Sequence, residues 1–517
     1  MIALTLFWIA LLPILWLIVA LSGLKMAAWK ACPVALAISL LASTKFFGMP
    51  WEHTITAALE GTALACWPIL LIITATIYTY HLSVHTKGMD VIKTMLTSVS
   101  TDARILILLI SFGFGGFLEG MAGFGTAVAI PASMLAGMGV HPVTAVAVCL
   151  VANFVPSAYG SIGIPIVTLS SVMGTDPVQI ATYVALQLFF LSLLCPFLMI
   201  MVDGHSIKAV KGVFPICLAA GLAFAFTELI VSHVMGAELA GVAGSILTMA
   251  AIVAGAKFFP TGENEYTMPS HGTGSPISFP QAFMACLPFL LIFVFLLLCS
   301  KLFPIIYETL IMFQTSVLIY RGEGGIPYTF YWIATPGMII FLAAFVSALA
   351  QKVPIHEMLS VLKSTILSLR PTFVTIITII ATAKVMGYSG MTTSIADMTV
   401  AATGTMYPFI SAFIGSIGGF ITGSATSTCI LLGKLQMDAA IAIGASPAAQ
   451  AWIAAANATG ACAGKLIAPQ SIAIGVAAIG AAGAGSESKL LSLTMRIYVP
   501  FILLLGTIVY FGRVLVE

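Results

Sequence analysis

The chain contains Gly115-Gly116-Phe117-Leu118-Glu119-Gly120, and a close copy, Gly418-Gly419-Phe420-Ile421-Thr422-Gly423, follows 303 positions later. Each copy is followed by the pattern Asn-x6-Gly-x4-Pro. Its fixed residues recur at an offset of 304: Asn153, Gly160 and Pro165, then Asn457, Gly464 and Pro469. A duplicated hydrophobic segment broken by glycines is typical of the substrate site of a secondary transporter. The repeat therefore predicts a transport protein.

The composition predicts the class of fold. Of 517 residues, 60% are hydrophobic and 7% are charged, whereas roughly 25% are charged in soluble domains. Apolar runs of about 20 residues recur, each long enough to cross a hydrocarbon core of about 30 Å. Runs of this length favour helices over a barrel. We expect an all-α polytopic membrane protein with roughly 12–14 transmembrane segments.

The same composition argues against several other classes of protein. A net charge of +2 does not suit a nucleic-acid partner. The nine cysteines lie in or beside apolar stretches without CxxC or histidine-rich spacing, so neither metal nor cofactor is expected. The apolar segments carry no paired nucleophile and base, which argues against an enzyme.

Apolar and polar stretches divide the chain into five parts. These are N-terminal scaffold helices (1–58), a first repeat (59–257), a polar linker (258–280), connecting helices (281–365) and a second repeat (366–517). Each repeat contains one predicted re-entrant helical hairpin, around 113–138 and around 415–437. Glycine pairs also mark close helix packing in membranes. Two matched copies at equal spacing favour a site over packing alone.

The distribution of basic residues predicts that the two repeats are inverted. Window 85–104 contains Lys87, Lys93 and Arg104, whereas the equivalent window 388–407 contains neither lysine nor arginine. Lys25 and Lys30 after the first segment give a further cytoplasmic marker. Because basic loops stay in the cytoplasm, the first window is expected inside and the second outside. Inverted repeats place two broken helices opposite each other near the midplane.

Helices that restart after a break present unpaired N–H groups and partial positive charge, which suit a small carboxylate. Nearby hydroxyls and amides can hydrogen-bond such a ligand: Thr126, Asn153, Thr422, Ser424, Thr426, Ser427 and Asn457. Gly125 lies in the first restart. Lys465 replaces Ser161 of the first copy, and it is either a counter-charge for the substrate or a lysine that extends to the interface.

Glu119 is the single most informative residue, because it is a carboxyl group inside an apolar glycine-rich segment, where its repeat partner is Thr422. Burial favours the protonated carboxyl and suggests a proton carrier. The alternative is a structural carboxyl that caps backbone N–H groups. The other charges in apolar segments are expected to be peripheral: Lys384 and Glu228 at segment ends, and Glu60 at a helix start.

At these positions the sequence resembles the bacterial lactate permease family. The shared residues are the stretch Phe114–Gly125 with its Glu-Gly-x-x-Gly-Phe-Gly core, Asn153, Tyr388-Ser-Gly390, Phe420–Ser424, Asn457–Gly460, and Gly464–Ile474 with its Pro-Gln-Ser block. The family takes up lactate, and in some members glycolate, together with protons. It is grouped with an ion-transporter superfamily whose folds use inverted repeats, opposed hairpins and, often, elevator-type dimers.

The resemblance implies a set of site residues: Glu119, Asn153, Thr422, Ser424, Ser427, Asn457, Lys465 and Gln470. The chain departs from the family after Thr-Gly-Ser, where related permeases often carry Asp and this chain has Ala425. The second hairpin therefore lacks a carboxylate, and Glu119 is the remaining acid of the hairpins.

Together these features predict proton-coupled uptake of L-lactate, with D-lactate or glycolate as further substrates, across the bacterial cytoplasmic membrane. Alternating access would move the two hairpins past the other helices, by an elevator or a rocking motion, in a protein that can form a homodimer. Sodium coupling is the main alternative, because glycine breaks can present carbonyl oxygens to Na⁺. An anion channel is less expected, because no filter motif is visible.

Overall fold

The computed structural model describes residues 2–24, 26–123, 125–204, 206–262, 265–268, 277–300, 302–479 and 485–516. Lys25 and much of the polar linker (263–264 and 269–276), which entered the sequence argument, lie outside the described residues. The described chain is helical apart from turns, loops and one small antiparallel sheet. In that sheet β1 (Gln314–Val317) pairs with β2 (Tyr328–Tyr331).

The helices of the first half are α1 Ile2–Ile18, α2 Ala28–Lys45, α3 Trp51–Leu64, α4 Leu71–His85, α5 Gly88–Thr97, α6 Ala103–Ile107, α7 Gly115–Met121, α8 Thr126–Gly137, α9 Pro142–Ala152, α10 Gly160–Met173, α11 Pro177–Asp203, α12 Phe214–Met235 and α13 Ala237–Phe258. Two π-helical segments join helices into longer rods. Ala65–Leu70 connects α3 to α4 through the cis peptide Trp67–Pro68, and Leu108–Phe114 connects α6 to α7.

The helices of the second half are α14 Phe279–Leu298, α15 Pro304–Ile311, α16 Pro336–Ala350, α17 Ile355–Ser368, α18 Arg370–Tyr388, α19 Met391–Thr403, α20 Tyr407–Thr422, α21 Ala425–Ala442, α22 Pro447–Ile467, α23 Pro469–Ala478 and α24 Glu487–Val516. Between α15 and α16 lies the small sheet, where the side chain of Trp67 donates a hydrogen bond to the Tyr331 carbonyl at 3.0 Å.

By length and composition, ten helical rods among the described residues can cross a membrane. Two bent pairs, α9 with α10 (60°) and α22 with α23 (49°), bring the number to 12 if each pair is one span. The predicted all-α membrane fold is confirmed, and the number of spans reaches the predicted 12–14 only if each bent pair is counted as one span. Two shorter apolar helices, α8 and α16, lie outside this count.

Both predicted hairpins form, but the chain leaves the helix later than the glycine pairs suggest. The first break comes after Met121, and helix α8 resumes at Thr126. The second break follows Thr422. The glycine pairs lie inside helices instead, where a Cβ on Gly116 would be 2.8 Å from Ser245 Oγ and one on Gly419 would be 2.2 Å from a backbone oxygen. The predicted glycine-broken hairpins are confirmed, with Gly123, Gly125 and Gly423 at the breaks, whereas the glycine pairs permit close helix packing.

The order of elements repeats along the chain. Shifting the bounds of Leu71–His85 and Thr126–Gly137 by 303 gives 374–388 and 429–440, which fall within α18 and α21. Shifting α9 and α10 by 304 gives 446–456 and 464–477, which overlap α22 and α23, but the bend comes later in the second pair. The division into repeats at 59–257 and 366–517 stays a prediction, since the structure does not define domain limits.

The two largest clusters of buried apolar side chains separate the described helices into two groups. One cluster joins α6 and α8–α13 to α20–α24. The other is centred on α1–α4, α14, α16 and α18 and includes the hairpin residues Phe117 and Ile421. We refer to the second group of helices as the scaffold. Each hairpin therefore has one apolar side against the scaffold and belongs otherwise to the first cluster.

Candidate functional site

A cavity of about 220 Å³ lies where the two hairpin breaks meet the two bent helix pairs. At a share of about 30 Å³ per water, this volume holds roughly seven waters, which suits a small molecule. Its wall comes from both halves of the chain: Glu119, Gly123, Gly125, Val128, Asn153, Ser157, Gly160, Ser161, Pro165, Gly423, Ser424, Ala425, Thr426, Lys465, Ser471 and Ile474.

An unusual backbone shapes the first bent pair. Ser161, Ile162 and Gly163 have φ values of 48°, 59° and 72°, in the left-handed region. That region costs a residue with a Cβ roughly 1–2 kcal/mol, and such outliers cluster at functional sites. The Ser161 hydroxyl donates a 2.9 Å hydrogen bond to the Ala122 carbonyl in the first hairpin break. The bend and the break are therefore fixed to each other at the cavity wall.

An ion pair between the two halves of the chain dominates the cavity. Lys465 Nζ lies 2.6 Å from Glu119 Oε1, and the two side chains are 14% and 3% exposed. Lys465 lies in the last turn of α22, where a cation is favoured by the helix dipole. Of the two roles considered for this lysine, extension to the interface does not fit, because its ammonium group points into the protein onto a carboxylate.

The surroundings of Glu119 explain a second residue of the repeat pattern. A Cβ on Gly160 would lie 2.9 Å from Glu119 Oε1, so glycine at this position leaves room for the carboxylate. The other carboxylate oxygen, Oε2, is buried and has no hydrogen-bond partner within the described part of the chain. An unpartnered buried oxygen beside a cavity is available to a proton or a ligand.

The two asparagines of the repeat have different surroundings. Asn153 lines the cavity at the end of α9 and is 6% exposed. Its Oδ1 has no hydrogen-bond partner among the described residues. Asn457 lies within the continuous helix α22, is fully buried, and donates to the Thr428 carbonyl at 3.2 Å. Its Oδ1 also has no partner among the described residues, so the two asparagines differ in their access to the cavity. Asn457 is not part of the cavity wall, so it ties two helices together instead.

The hydroxyl groups of the second hairpin mainly stabilise its break. Thr422 Oγ1 accepts a 3.1 Å hydrogen bond from the Ser424 N–H and donates to the Gly418 carbonyl. Ser424 Oγ accepts from the Ser427 N–H at 3.2 Å and so caps α21. Ser424 is also in the cavity wall, whereas Thr422 and Ser427 are not.

The predicted site residues therefore fall into two sets. In the cavity wall lie Glu119, Gly125, Asn153, Ser424, Thr426 and Lys465. Outside it lie Thr126, Thr422, Ser427, Asn457 and Gln470. Gln470 donates to the Ile421 carbonyl at 3.0 Å and connects α23 to the second hairpin. Thr126 donates to the Gly123 carbonyl at 2.7 Å, within the first break.

Sequence reasoning missed part of the wall. Ser157, Ser161 and Ser471 belong to it, as do the apolar side chains of Val128, Pro165 and Ile474. One of these residues could have been predicted, because Ser161 occupies the position in the first copy that is equivalent to Lys465 in the second. Ala425 is also in the wall. The departure from the family pattern therefore lies at the cavity itself, and Glu119 is the only carboxylate in the wall formed by the described residues.

The three charges expected at the periphery, Lys384, Glu60 and Glu228, are inside the protein, and those expectations were wrong. Lys384 Nζ lies 2.8 Å from Glu60 Oε1, and the Tyr388 hydroxyl donates to the same oxygen at 2.8 Å. Glu60 is the tenth residue of α3, not its start. Glu228 is 1% exposed in the middle of α12. Apolar neighbours along a helix do not reveal which face meets another helix, so burial of these groups was not predictable.

Comparison of the sequence with those of known proteins identifies a family. The family model described as L-lactate permease matches residues 6–516. An L-lactate permease of Streptococcus iniae is 42% identical over 88% of this chain and 94% of its own length. The glycolate permease GlcA of Escherichia coli K12 is 34% identical, and an L-lactate permease of Bacillus subtilis 168 is 32% identical, each over 97% of this chain and 94% of its own length.

Among solved structures, the YdaH transporter of Alcanivorax borkumensis aligns with 87% of this chain and 98% of its own at 15% identity. Its TM-score of 0.35 is too low to carry a structural argument. The relatives are named permeases, so the expectation of a multi-pass transporter and not an enzyme is confirmed. The extent of the family match and the identities show that the chain belongs to the L-lactate permease family.

Proposed function

We propose that this chain carries a small 2-hydroxy monocarboxylate into the cell together with a proton, across the bacterial cytoplasmic membrane. L-lactate is the first candidate, and D-lactate and glycolate follow. The observation that carries the proposal is the ion pair of Lys465 and Glu119 in the wall of a small cavity. The names of the relatives, L-lactate permease and glycolate permease, support the class of substrate.

The charges of the cavity explain why substrate and proton would move together. The empty site pairs one ammonium with one carboxylate and is neutral. A monocarboxylate bound alone would leave one negative charge, and a proton bound alone to Glu119 would leave one positive charge. Both together restore neutrality. An uncompensated charge inside a membrane protein is costly. The site can therefore move readily across the membrane when it is empty or when it holds both substrate and proton, because it is neutral in both cases.

An exchange of partners at Lys465 would produce this coupling. A lysine ammonium has three donors, so the carboxylate of the substrate can take over the contact that Glu119 Oε1 makes in the empty site. Glu119 is then left without its cation, and a proton on this carboxylate would restore the neutrality of the site. We expect one proton per monocarboxylate, because Ala425 gives the cavity no second acid.

The two apolar clusters suggest which parts move in alternating access. Most buried apolar residues of the broken helices belong to the first cluster, whereas the scaffold's cluster includes Phe117 and Ile421 of the hairpins and Ile162 and Ile164 of the first bend. Movement of the helices of the first cluster along this apolar contact with the scaffold would expose the cavity to each side of the membrane in turn. The homodimer that the family resemblance implies stays a prediction.

The decisive test uses purified protein in liposomes and labelled L-lactate. An inward proton gradient should drive accumulation, an uncoupler should abolish it, and removal of sodium should have no effect. Accumulation that requires sodium and survives the uncoupler would replace the proton by Na⁺. Transport without saturation at high lactate concentration would contradict a carrier.

The variant Glu119→Gln tests the role of the carboxyl group. It keeps the shape of the side chain but cannot change its charge, so we expect proton-driven accumulation to fall to background. Exchange of internal for external lactate should continue, because exchange needs no net proton movement. Undiminished pH-driven accumulation in this variant would remove Glu119 from the coupling mechanism.

A further inference from the structure

We propose that Asn153 reads the 2-hydroxyl group of the substrate and makes the cavity selective for 2-hydroxy acids. This inference rests on the proposed function, because it assigns a specificity-determining residue to that same cavity. The observation behind it is the unpartnered Oδ1 of Asn153, on a side chain that lines the cavity and is 6% exposed. A buried carbonyl oxygen without a donor destabilises the empty site and favours a ligand that supplies one.

The two hydroxyl groups that follow Asn153 in the cavity wall, those of Ser157 and Ser161, already donate hydrogen bonds within the protein. Ser157 Oγ donates to the Phe154 carbonyl at 2.9 Å, and Ser161 Oγ donates to the Ala122 carbonyl at 2.9 Å. Neither needs a ligand to satisfy its proton. Of the wall atoms that the structure leaves buried without a partner, Glu119 Oε2 takes the proton in the proposed loaded state, and Asn153 Oδ1 is the acceptor that still lacks a donor.

The remaining wall fits the other two groups of a 2-hydroxy acid. Lys465 supplies the positive charge for the carboxylate. The apolar side chains of Val128, Pro165 and Ile474 give a surface for a methyl group or a hydrogen. Lactate and glycolate both carry the 2-hydroxyl donor. Propionate lacks the hydroxyl, and pyruvate has a ketone in its place, so neither offers a proton to Asn153 Oδ1.

A polar group that is built to hydrogen-bond a hydroxyl rejects the analogue without it, because its own buried atom is then left unpaired. We expect wild-type protein to bind lactate and glycolate about 10- to 100-fold more tightly than propionate and pyruvate. The preference between lactate and glycolate depends on the apolar wall and is independent of Asn153.

The test is Asn153→Leu, which is close in size and has no acceptor, with Asn153→Ala as a second variant if the first fails to fold. Binding is measured as the shift in melting temperature that each acid causes in purified protein, so variants that do not transport still report. Lactate and glycolate binding should weaken about 10- to 100-fold, whereas propionate binding should stay within a few fold.

Asn457→Leu is the matched control, since Asn457 is the repeat equivalent and lies outside the cavity wall. It should lower the melting temperature of the ligand-free protein and leave the ratio of lactate to propionate binding unchanged. A wild-type ratio in Asn153→Leu, with wild-type lactate binding intact, would overturn the role of Asn153 and leave the proposed function standing. Failure of the wild-type protein to bind any of the four acids would overturn both.

Discussion

The two copies of the repeat share their backbone plan but differ where they face the cavity. In the first copy the helix ends at Asn153, and residues up to Gly163 form an irregular bend that lines the site. In the second copy α22 continues through Asn457 to Ile467 before it bends. The same pattern of asparagine, glycine and proline thus gives an open binding wall in one copy and a packed helix in the other.

The charged residues follow the same asymmetry. The first copy supplies Glu119 where the second has Thr422, and the second supplies Lys465 where the first has Ser161. Each copy therefore gives one half of the ion pair. Duplication of the backbone accounts for a cavity between two breaks, and divergence at two pairs of positions accounts for its charge. With identical residues in both copies, each of these pairs of positions would contribute two like charges or none.

The largest expected effect comes from removing this asymmetry at Lys465. The variant Lys465→Ser gives the second copy the residue of the first. It removes the cation that the substrate carboxylate needs and leaves Glu119 buried without a partner. Because breaking a buried charge pair costs about 2–5 kcal/mol, we expect lactate uptake in proteoliposomes to fall about 100-fold or more.

Lys384→Ser is the matched control for that variant. Lys384 also forms an ion pair with a buried glutamate, Glu60, but it lies in the scaffold and outside the cavity wall. Lys384→Ser should lower the melting temperature of the ligand-free protein, and lactate should still raise that temperature. Wild-type uptake by Lys465→Ser, or an equal loss of lactate binding in the two variants, would break the assignment of the cation to the site.

An intermediate effect is expected from the glycine of the repeat pattern. In Gly160→Ala the new methyl group would lie 2.9 Å from Glu119 Oε1. It displaces the carboxylate, so we expect proton-driven uptake to fall about tenfold with little change in melting temperature. In Gly464→Ala the methyl group would lie 1.9 Å from the Ser416 carbonyl oxygen. Here α20 and α22 must separate, and stability should fall by about 1–3 kcal/mol.

Uptake and melting temperature of the two alanine variants are measured side by side. The comparison fails if Gly160→Ala destabilises the protein as much as Gly464→Ala does, because Gly160 would then be a packing residue too. It also fails if Gly160→Ala transports at the wild-type rate, since room for the carboxylate would then not matter.

The sequence predicts the fold well because its signals are local. Long apolar runs predict the membrane helices, and the duplicated stretch predicts two hairpins. Glu119, Asn153 and Lys465 were each identified as single positions. Their arrangement was not predicted, because Glu119 and Lys465 are 346 residues apart and meet only when the two broken helices pack together. The two asparagines look equivalent in the pattern, yet only the backbone shows that one faces a cavity.

The smallest expected effects concern two predicted site hydroxyls that lie outside the cavity wall. Thr126 donates one hydrogen bond, to the Gly123 carbonyl, whereas Thr422 both donates to the Gly418 carbonyl and accepts from the Ser424 N–H. Valine has the same shape without the hydroxyl. Because one hydrogen bond contributes about 0.5–1.5 kcal/mol, Thr126→Val should lower stability by about that amount and Thr422→Val by about twice as much.

Lactate affinity, measured from the ligand-induced shift in melting temperature, should stay within about threefold of wild type in both variants, a difference of less than about 1 kcal/mol. A large loss of lactate affinity at unchanged stability would show that the hydroxyl in question contacts the substrate. The two breaks would then both take part in binding, contrary to what their geometry indicates.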